Sequence, residues 1–336
     1  MKKHAISLTL GCSLVLFAAV AYWLFFSAFS SASGSKLIYI DADDTPDSVA
    51  TKLAAAEPRQ MVGYSIASSI LGYSTVQPGC YEAGNGVSTL RLVRNLKGGR
   101  QTPVRLVVPS VRTLSDMAQR LAPQLAVSAD DLNRTFADTV LLDSLGVTQA
   151  TLPCLFIPNT YEVYWNISPR HLLEKMQEES KKFWTSERLA KAKAAGLSTE
   201  EVITLASIVD QETANNAEKP LVAGMYLNRL KIGMKLQADP TVKFALQRFD
   251  LRRILHEHLT VDSPYNTYRY AGLPPGPIAI PSQQSIDAVL NYAHHSYIYM
   301  CAKEDFSGTH NFATTYEEHQ TNAKRYADAL NARNIH

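Results

Sequence analysis

Apolar and polar residues follow different rhythms along this chain. From Ala5 to Phe29 there is no charged residue, and Leu14, Val15, Leu16, Phe17, Trp23, Leu24, Phe25 and Phe26 fall within the run. It exceeds the roughly 20 residues a helix needs to cross a bilayer, and the roughly 7–15 apolar residues of a cleaved signal peptide. Lys2 and Lys3 precede it and the next cation is Lys36. That asymmetry puts residues 1–4 in the cytoplasm, 5–29 in the membrane and the rest outside. Ser31-Ala32-Ser33-Gly34 would also suit a signal peptidase; the length of the run favours an uncleaved anchor over that reading.

Beyond a Ser/Ala/Gly linker at 30–36, the pattern changes to short strands and capped helices. Leu37 to Ile40 predicts a strand, and Asp44-Thr45-Pro46-Asp47 leads into a helix through Val49 and Leu53. The same grammar returns at 104–121: a strand Val104–Val108, then Thr113 capping a helix with Leu114, Met117 and Leu121. Doubling of strand and capped helix suggests a small α+β module at 37–125. Between the copies, a helix from Ser88 to Leu96 is closed by Gly98-Gly99. Residues 126–197 read as a helical connecting region, with helices opened by Ser128 and by Ser168-Pro169 and a third ended by Gly196. Within it, Leu155 to Tyr161 predicts an apolar strand that ends in a polar turn.

The stretch STEEVITLASIVDQET, Ser198 to Thr213, stands out. Ser198 with Glu201 three residues on is a capping-box start. Val202, Leu205, Ile208 and Val209 then share one helical face. At 100° per residue, Glu212 comes within about 20° of Leu205, while Asp210 and Gln211 point elsewhere. A carboxyl at the end of a buried stripe is desolvated and held protonated, as a general acid requires; the plain alternative is a solvated helix end. Asn215 with Glu218 predicts the next helix, running to Gly233. Asp239 before Pro240 is either an N-cap or a functional carboxylate, and the residues alone leave both open.

Ser263 to Pro281, SPYNTYRYAGLPPGPIAIP, is a loop stiffened by five prolines. Its Tyr265, Tyr268 and Tyr270 offer flat faces of the kind that stack on sugars. A helix at 282–292, a hairpin pairing Tyr297–Ala302 with His310–Ala313, and a final helix at 315–331 complete the pattern. The chain is 46% hydrophobic and 19% charged with net charge +2, which gives no reason to expect nucleic acid as a partner. His256 and His258 lie two apart, off any common helical face, so no metal site is expected. Three cysteines, Cys80, Cys154 and Cys301, follow the apolar run; an odd number leaves at least one unpaired within the chain.

Four blocks together carry a resemblance: LASIVDQET, LVAGMYLNRLKIGMKLQADPTVKFAL, the 263–281 loop, and YIYMCA…THNF…EEH. They resemble the YceG-like family of membrane-anchored endolytic murein transglycosylases, in order from Leu205 to His319. Upstream, 37–125 is similar to the family's LysM-like module. The resemblance implies an α+β, membrane-anchored protein whose LysM-like module is followed by a mixed helical and β-hairpin catalytic domain at 198–336. It implies cleavage of the MurNAc–GlcNAc β-1,4 bond in nascent strands, leaving 1,6-anhydro ends and terminating elongation, with no cofactor and no metal. The implied catalytic residue is Glu212; Gln237, Asp239, Asn266, Thr267 and Tyr268 fall in matching blocks as glycan-binding or orienting residues. The implied partners are peptidoglycan strands, the membrane and peptidoglycan synthases. The family's Glu-Lys-Glu-Thr is here Asp210-Gln211-Glu212-Thr213, and its Pro-Asp-Thr-Tyr is Pro158-Asn159-Thr160-Tyr161. A hydrolase using Asp239 as second carboxylate, and a non-catalytic glycan-binding or assembly protein, are the rival functions.

Overall fold

The computed structural model describes residues 2–30, 34, 36–84, 86–251 and 253–333. Two compact units divide the chain: 1–106 with 124–127 and 161–167, and 107–123 with 128–160 and 168–336.

The first unit begins with α1 (Lys2–Phe25), then β1 (Leu37–Ile40), α2 (Pro46–Ala56), α3 (Met61–Leu71), β2 (Gly79–Glu82) and α4 (Thr89–Lys97). β1 and β2 pair antiparallel, Leu37 opposite Glu82 and Ile40 opposite Gly79. Thr45 starts α2 with a reciprocal cap: its side chain accepts from Ser48 N–H and its own N–H donates to Ser48 Oγ. Ile38 and Ile40 of β1, Val49 and Leu53 of α2, and Leu92 and Leu96 of α4 form the core. Phe29, expected as the last residue of the apolar run, is instead buried in that core, because α1 stops at Phe25 and Phe29 N–H donates to Val87 O at 2.7 Å. Gly63 allows α3 to lie against the end of α1, since a Cβ there would run into the Leu24 carbonyl. Leu10, Leu14, Phe17 and Trp23 of α1 are exposed. Among the described residues, no helix is long and apolar enough to cross a membrane.

β3 (Val104–Val108) pairs with β4 (Asn159–Val163). The two strands expected to begin similar units, β1 and β3, therefore lie in different sheets. The strand expected at 155–161 also starts later. Pro153 shapes a 3-10 turn over Leu152–Leu155, and the extended backbone begins at Asn159, where a turn was expected.

The second unit is mostly helical. It comprises α5 (Leu114–Leu121), α6 (Ala129–Phe136), α7 (Thr139–Ser144), α8 (Pro169–Phe183), α9 (Ser186–Ala195), α10 (Thr199–Glu212), α11 (Lys219–Lys231), α12 (Asp239–Leu246), α13 (Gln283–Leu290) and α14 (Tyr316–Ala332). A hairpin of β5 (Tyr299–Ala302) and β6 (His310–Ala313) precedes α14, with Ala302 opposite His310. Its core is built round α10. Val202, Leu205, Ile208 and Val209 cluster with Val222 and Tyr226 of α11 and Ile286 and Val289 of α13. Each such aliphatic side chain contributes about 1.5–3 kcal/mol on burial. Gly224 lets α11 approach the chain at Ala293, whose carbonyl a Cβ would strike. Cys80, Cys154 and Cys301 are free thiols.

Candidate active site

The carboxyl of Glu212 is placed by the two ends of α10. At the start, Ser198 Oγ accepts from Glu201 N–H and Glu201 Oε2 accepts from Ser198 N–H at 2.7 Å, which sets the phase of the helix. At the end, Thr213 is extended, with φ −142° and ψ 134°, so Glu212 is the last helical residue. Its carboxyl leaves the buried stripe only partly open to solvent. Burial pushes Glu212 up to about 7. The Tyr226 hydroxyl donates to its Oε1 at 2.6 Å and works against that rise, the negative charge of Asp239 adds to it, and His310 and Arg229 lower it. Burial and the neighbouring carboxylate hold the Tyr226 phenol well above its ordinary value, so it stays a donor.

Asp210, two residues earlier, has a different fate. Its Oδ1 accepts from Lys219 Nζ at 2.8 Å, from Ser282 Oγ at 2.8 Å and from Ser285 Oγ. Burial alone would raise its carboxyl, but Lys219 and the two serines outweigh it and hold the group below the usual carboxylate range. It ties α10 to α11 and α13 and keeps its charge.

Asp239 is not the N-cap of α12. Ala238 occupies that position and Asp239 is the first helical residue, so its carboxylate is released from capping. It is exposed and accepts from the Tyr268 hydroxyl at 2.6 Å. Burial, together with that bond to a carboxylate, holds the Tyr268 phenol well up. Gln237 is exposed, with φ +50°, a left-handed conformation uncommon outside glycine. The conformation is enforced from the 263–281 loop, where Thr267 O accepts from Gln237 N–H at 3.1 Å and Thr267 Oγ1 accepts from Ala238 N–H at 3.0 Å.

Asn266 and Thr267, expected as glycan-binding or orienting residues, are buried. Asn266 Nδ2 donates to the carbonyls of Leu259 and Val261, and its Oδ1 accepts from Tyr268 N–H at 3.0 Å. Thr267 Oγ1 lies 2.8 Å from Thr241 Oγ1. With no exposed polar atom to offer, the pair shapes the loop that presents Tyr268 and Gln237. The three tyrosines also part company. Tyr265 packs on Phe244 at 4.7 Å between ring centres, Tyr270 donates to Asp262, and Tyr268 alone reaches Asp239.

The sequence reading passed over Tyr226 and Arg229. Both are helical residues on a helix already accounted for as core, and nothing in their spacing marks them. Arg229 is buried, donating from Nε to Ile298 O and from Nη1 to Leu236 O, each at 2.6 Å. Burial lowers its ordinarily very high pKa. Glu218, expected in a cap with Asn215, makes no side-chain cap to its helix. Its Oε1 accepts instead from His310 N–H at 2.6 Å and its Oε2 lies 3.0 Å from His310 Nδ1, fixing the start of β6.

Glu212 thus combines a raised carboxyl and a tyrosine donor with the charges of Arg229 and Asp239 nearby. The chain belongs to the YceG-like family, whose model matches residues 38–325. An endolytic murein transglycosylase of Bacillus subtilis (strain 168) is 28% identical over 276 residues, covering 77% of this chain and 76% of the relative. One of Streptococcus pneumoniae (strain D39) is 26% identical over 296 residues, covering 79% of this chain; the chain spans about half that relative's length, 53%. A crystal structure of a yceG-like protein from Listeria monocytogenes aligns with TM-score 0.56 and 26% identity, covering 86% of this chain and 99% of that one.

Proposed function

We propose that this chain is an endolytic murein transglycosylase, with Glu212 as its single acid and base. The observation that carries the reading is the Glu212 carboxyl, pushed up to about 7 by burial and met on one oxygen by Tyr226. With the Tyr226 hydroxyl on Oε1, the proton sits on Oε2. That proton goes to the glycosidic oxygen as the bond from C1 of N-acetylmuramic acid breaks. The C6 hydroxyl of the same sugar then forms the new bond to C1 and gives its proton to Glu212. The products are a 1,6-anhydro end and a free N-acetylglucosamine hydroxyl; no water is consumed and the carboxyl is returned protonated. Gln237, Asp239 and Tyr268 are the exposed or half-exposed groups placed to bind the strand, with Asn266 and Thr267 as their support.

Asp239 makes a hydrolase the specific rival, since a second carboxylate could activate water. Digestion of purified glycan strands with the full chain and with Glu212→Gln separates the readings by product mass. Anhydro ends that vanish in the variant support the lyase. Reducing ends would replace it with the hydrolase, and intact strands with a binding protein.

The wider reading is that α1 anchors the chain in the membrane, with residues 198–336 acting on nascent strands outside it beside peptidoglycan synthases. The exposed Leu10, Leu14, Phe17 and Trp23 support the anchor. Resistance of the full chain to alkaline extraction from membranes, lost on deleting residues 2–30, is the expected result. Within the 37–125 region, the strand–helix–helix–strand order of 37–82 round an antiparallel pair supports the LysM-like module expected there.

A further inference from the structure

Gln211 and Pro240, the neighbours of Glu212 and Asp239, face a cleft that the acid–base chemistry does not use. Arg112, Lys243, Phe249 and Ile278 complete its walls, and it encloses about 100 Å³. Arg112 is held in place at both ends. Its backbone follows the pairing of Val111 with Ile280, Ser110 Oγ donates to Ile280 O at 2.7 Å, and its guanidinium lies 4.9 Å from the centre of the Phe249 ring. Nη2 donates to Gln211 Oε1 at 3.3 Å, a neutral partner.

The nearby acids are engaged elsewhere. Asp116 caps α5 through Thr113 N–H, and Asp250 is held by both Nε and Nη2 of Arg248 at 2.8 Å. Among the described residues, no carboxylate lies within ion-pair distance of Arg112 or Lys243. A guanidinium stacked on Phe249 with a lysine on the same cleft, in a space that fits a carboxylate but not a sugar ring, suits an organic anion. Arg112 also walls a hollow of about 370 Å³ lined by Phe244, Tyr265 and Pro277, which suits small apolar side chains.

Murein strands carry, on each muramic acid, a short peptide of alanines and acidic residues. We propose that the Arg112–Lys243 cleft receives a carboxylate of the stem peptide borne by the muramic acid beside the cut, with the apolar hollow taking its alanines. The proposal rests on the transglycosylase reading and sharpens it: the enzyme would prefer strands whose stems have not been removed.

The test compares full-length wild type, Arg112→Ala, Lys243→Ala and Arg112→Lys on uncrosslinked strands and on the same strands stripped of peptide by an amidase. Arg112 is exposed, so its replacement leaves the core intact. On peptide-bearing strands each alanine variant should lose about 10- to 100-fold in kcat/KM, the range for a lost charge-assisted hydrogen bond. On stripped strands the loss should stay below about twofold, the scale of an exposed contact that the substrate no longer uses. Arg112→Lys should recover part of the loss. Equal losses on both substrates, or none on either, would overturn the proposal. Titration with a synthetic acidic stem tetrapeptide, followed by NMR, reads the cleft without cleavage. If wild type binds the peptide and the variants do not, yet no strand is cut, the catalytic reading fails and the cleft stands. If inorganic phosphate binds the cleft and the peptide does not, the stem-peptide assignment is wrong.

Discussion

Replacing Glu212 by Gln keeps the side chain's shape and removes its titration, and so exposes what the acid costs the fold. The folded pKa is about 7 against an ordinary 4.5. The folded protein therefore binds more protons than the unfolded chain between those values, and stability falls as pH rises through that window. The difference, about 2.5 pH units at about 1.4 kcal/mol each, is about 3 kcal/mol. Below about pH 4 the carboxyl is neutral in both states and the penalty is absent; above about pH 8 it is complete. Urea denaturation of wild type and Glu212→Gln at several pH values isolates it, because other titrating groups cancel in the difference. The variant should gain about 3 kcal/mol on wild type between pH 4 and pH 8 while losing all cleavage. A difference that stays constant with pH would refute the desolvated-acid reasoning, whatever happened to activity.

Tyr226→Phe removes the donor that stabilises the charged carboxylate, so the fall of kcat/KM at alkaline pH, set by loss of the Glu212 proton, should move upward by about 1–2 pH units. A pH–rate profile with its midpoint unmoved or lowered would contradict this. Lys219→Met leaves Asp210 charged and buried without its cation, and should cost about 3–5 kcal/mol at pH 7 in denaturant melts. Because the folded pKa of Asp210 lies below its ordinary 3.8, that pair's contribution is full above pH 3.8 and fades as pH falls through the folded value. The deficit of the variant should therefore shrink in strong acid. Asp239→Asn leaves Tyr268 a hydrogen-bond acceptor and removes one negative charge near Glu212, so the alkaline limb should shift downward; an upward shift would show that Asp239 does not raise the acid.

Local signals carried far in this chain. The Ser198 cap fixes the start of α10, but the helix is buried on every side from Val202 to Val209 and Asp210 is half-buried like Glu212. What separates the two carboxyls is their partners: Tyr226 for Glu212, and Lys219, Ser282 and Ser285 for Asp210. Thr45, Thr113, Ser128 and Thr315 each cap the helix they precede, since that geometry involves only three or four neighbouring residues. What sequence could not reveal depends on partners far along the chain. Glu218 looks like a capping residue until His310 takes its carboxylate, and Asp239 looks like a cap until the 263–281 loop bends Gln237 into a left-handed turn. Tyr226 sits in a run of core residues, and only the folded contact distinguishes its hydroxyl from packing. Strand partners were equally hidden: β1 and β3 have alike surroundings in sequence but pair with different strands.

Arg229 links two stretches by its side chain alone, one nitrogen on the Leu236 carbonyl before α12 and another on the Ile298 carbonyl before β5. Neither stretch can swing away without stranding a buried guanidinium, at a cost of several kcal/mol. The segment carrying Gln237 and Asp239 and the entry to the hairpin should thus open together as one cooperative unit. Their amides would show a common protection in hydrogen exchange, and the site would have no separately moving lid.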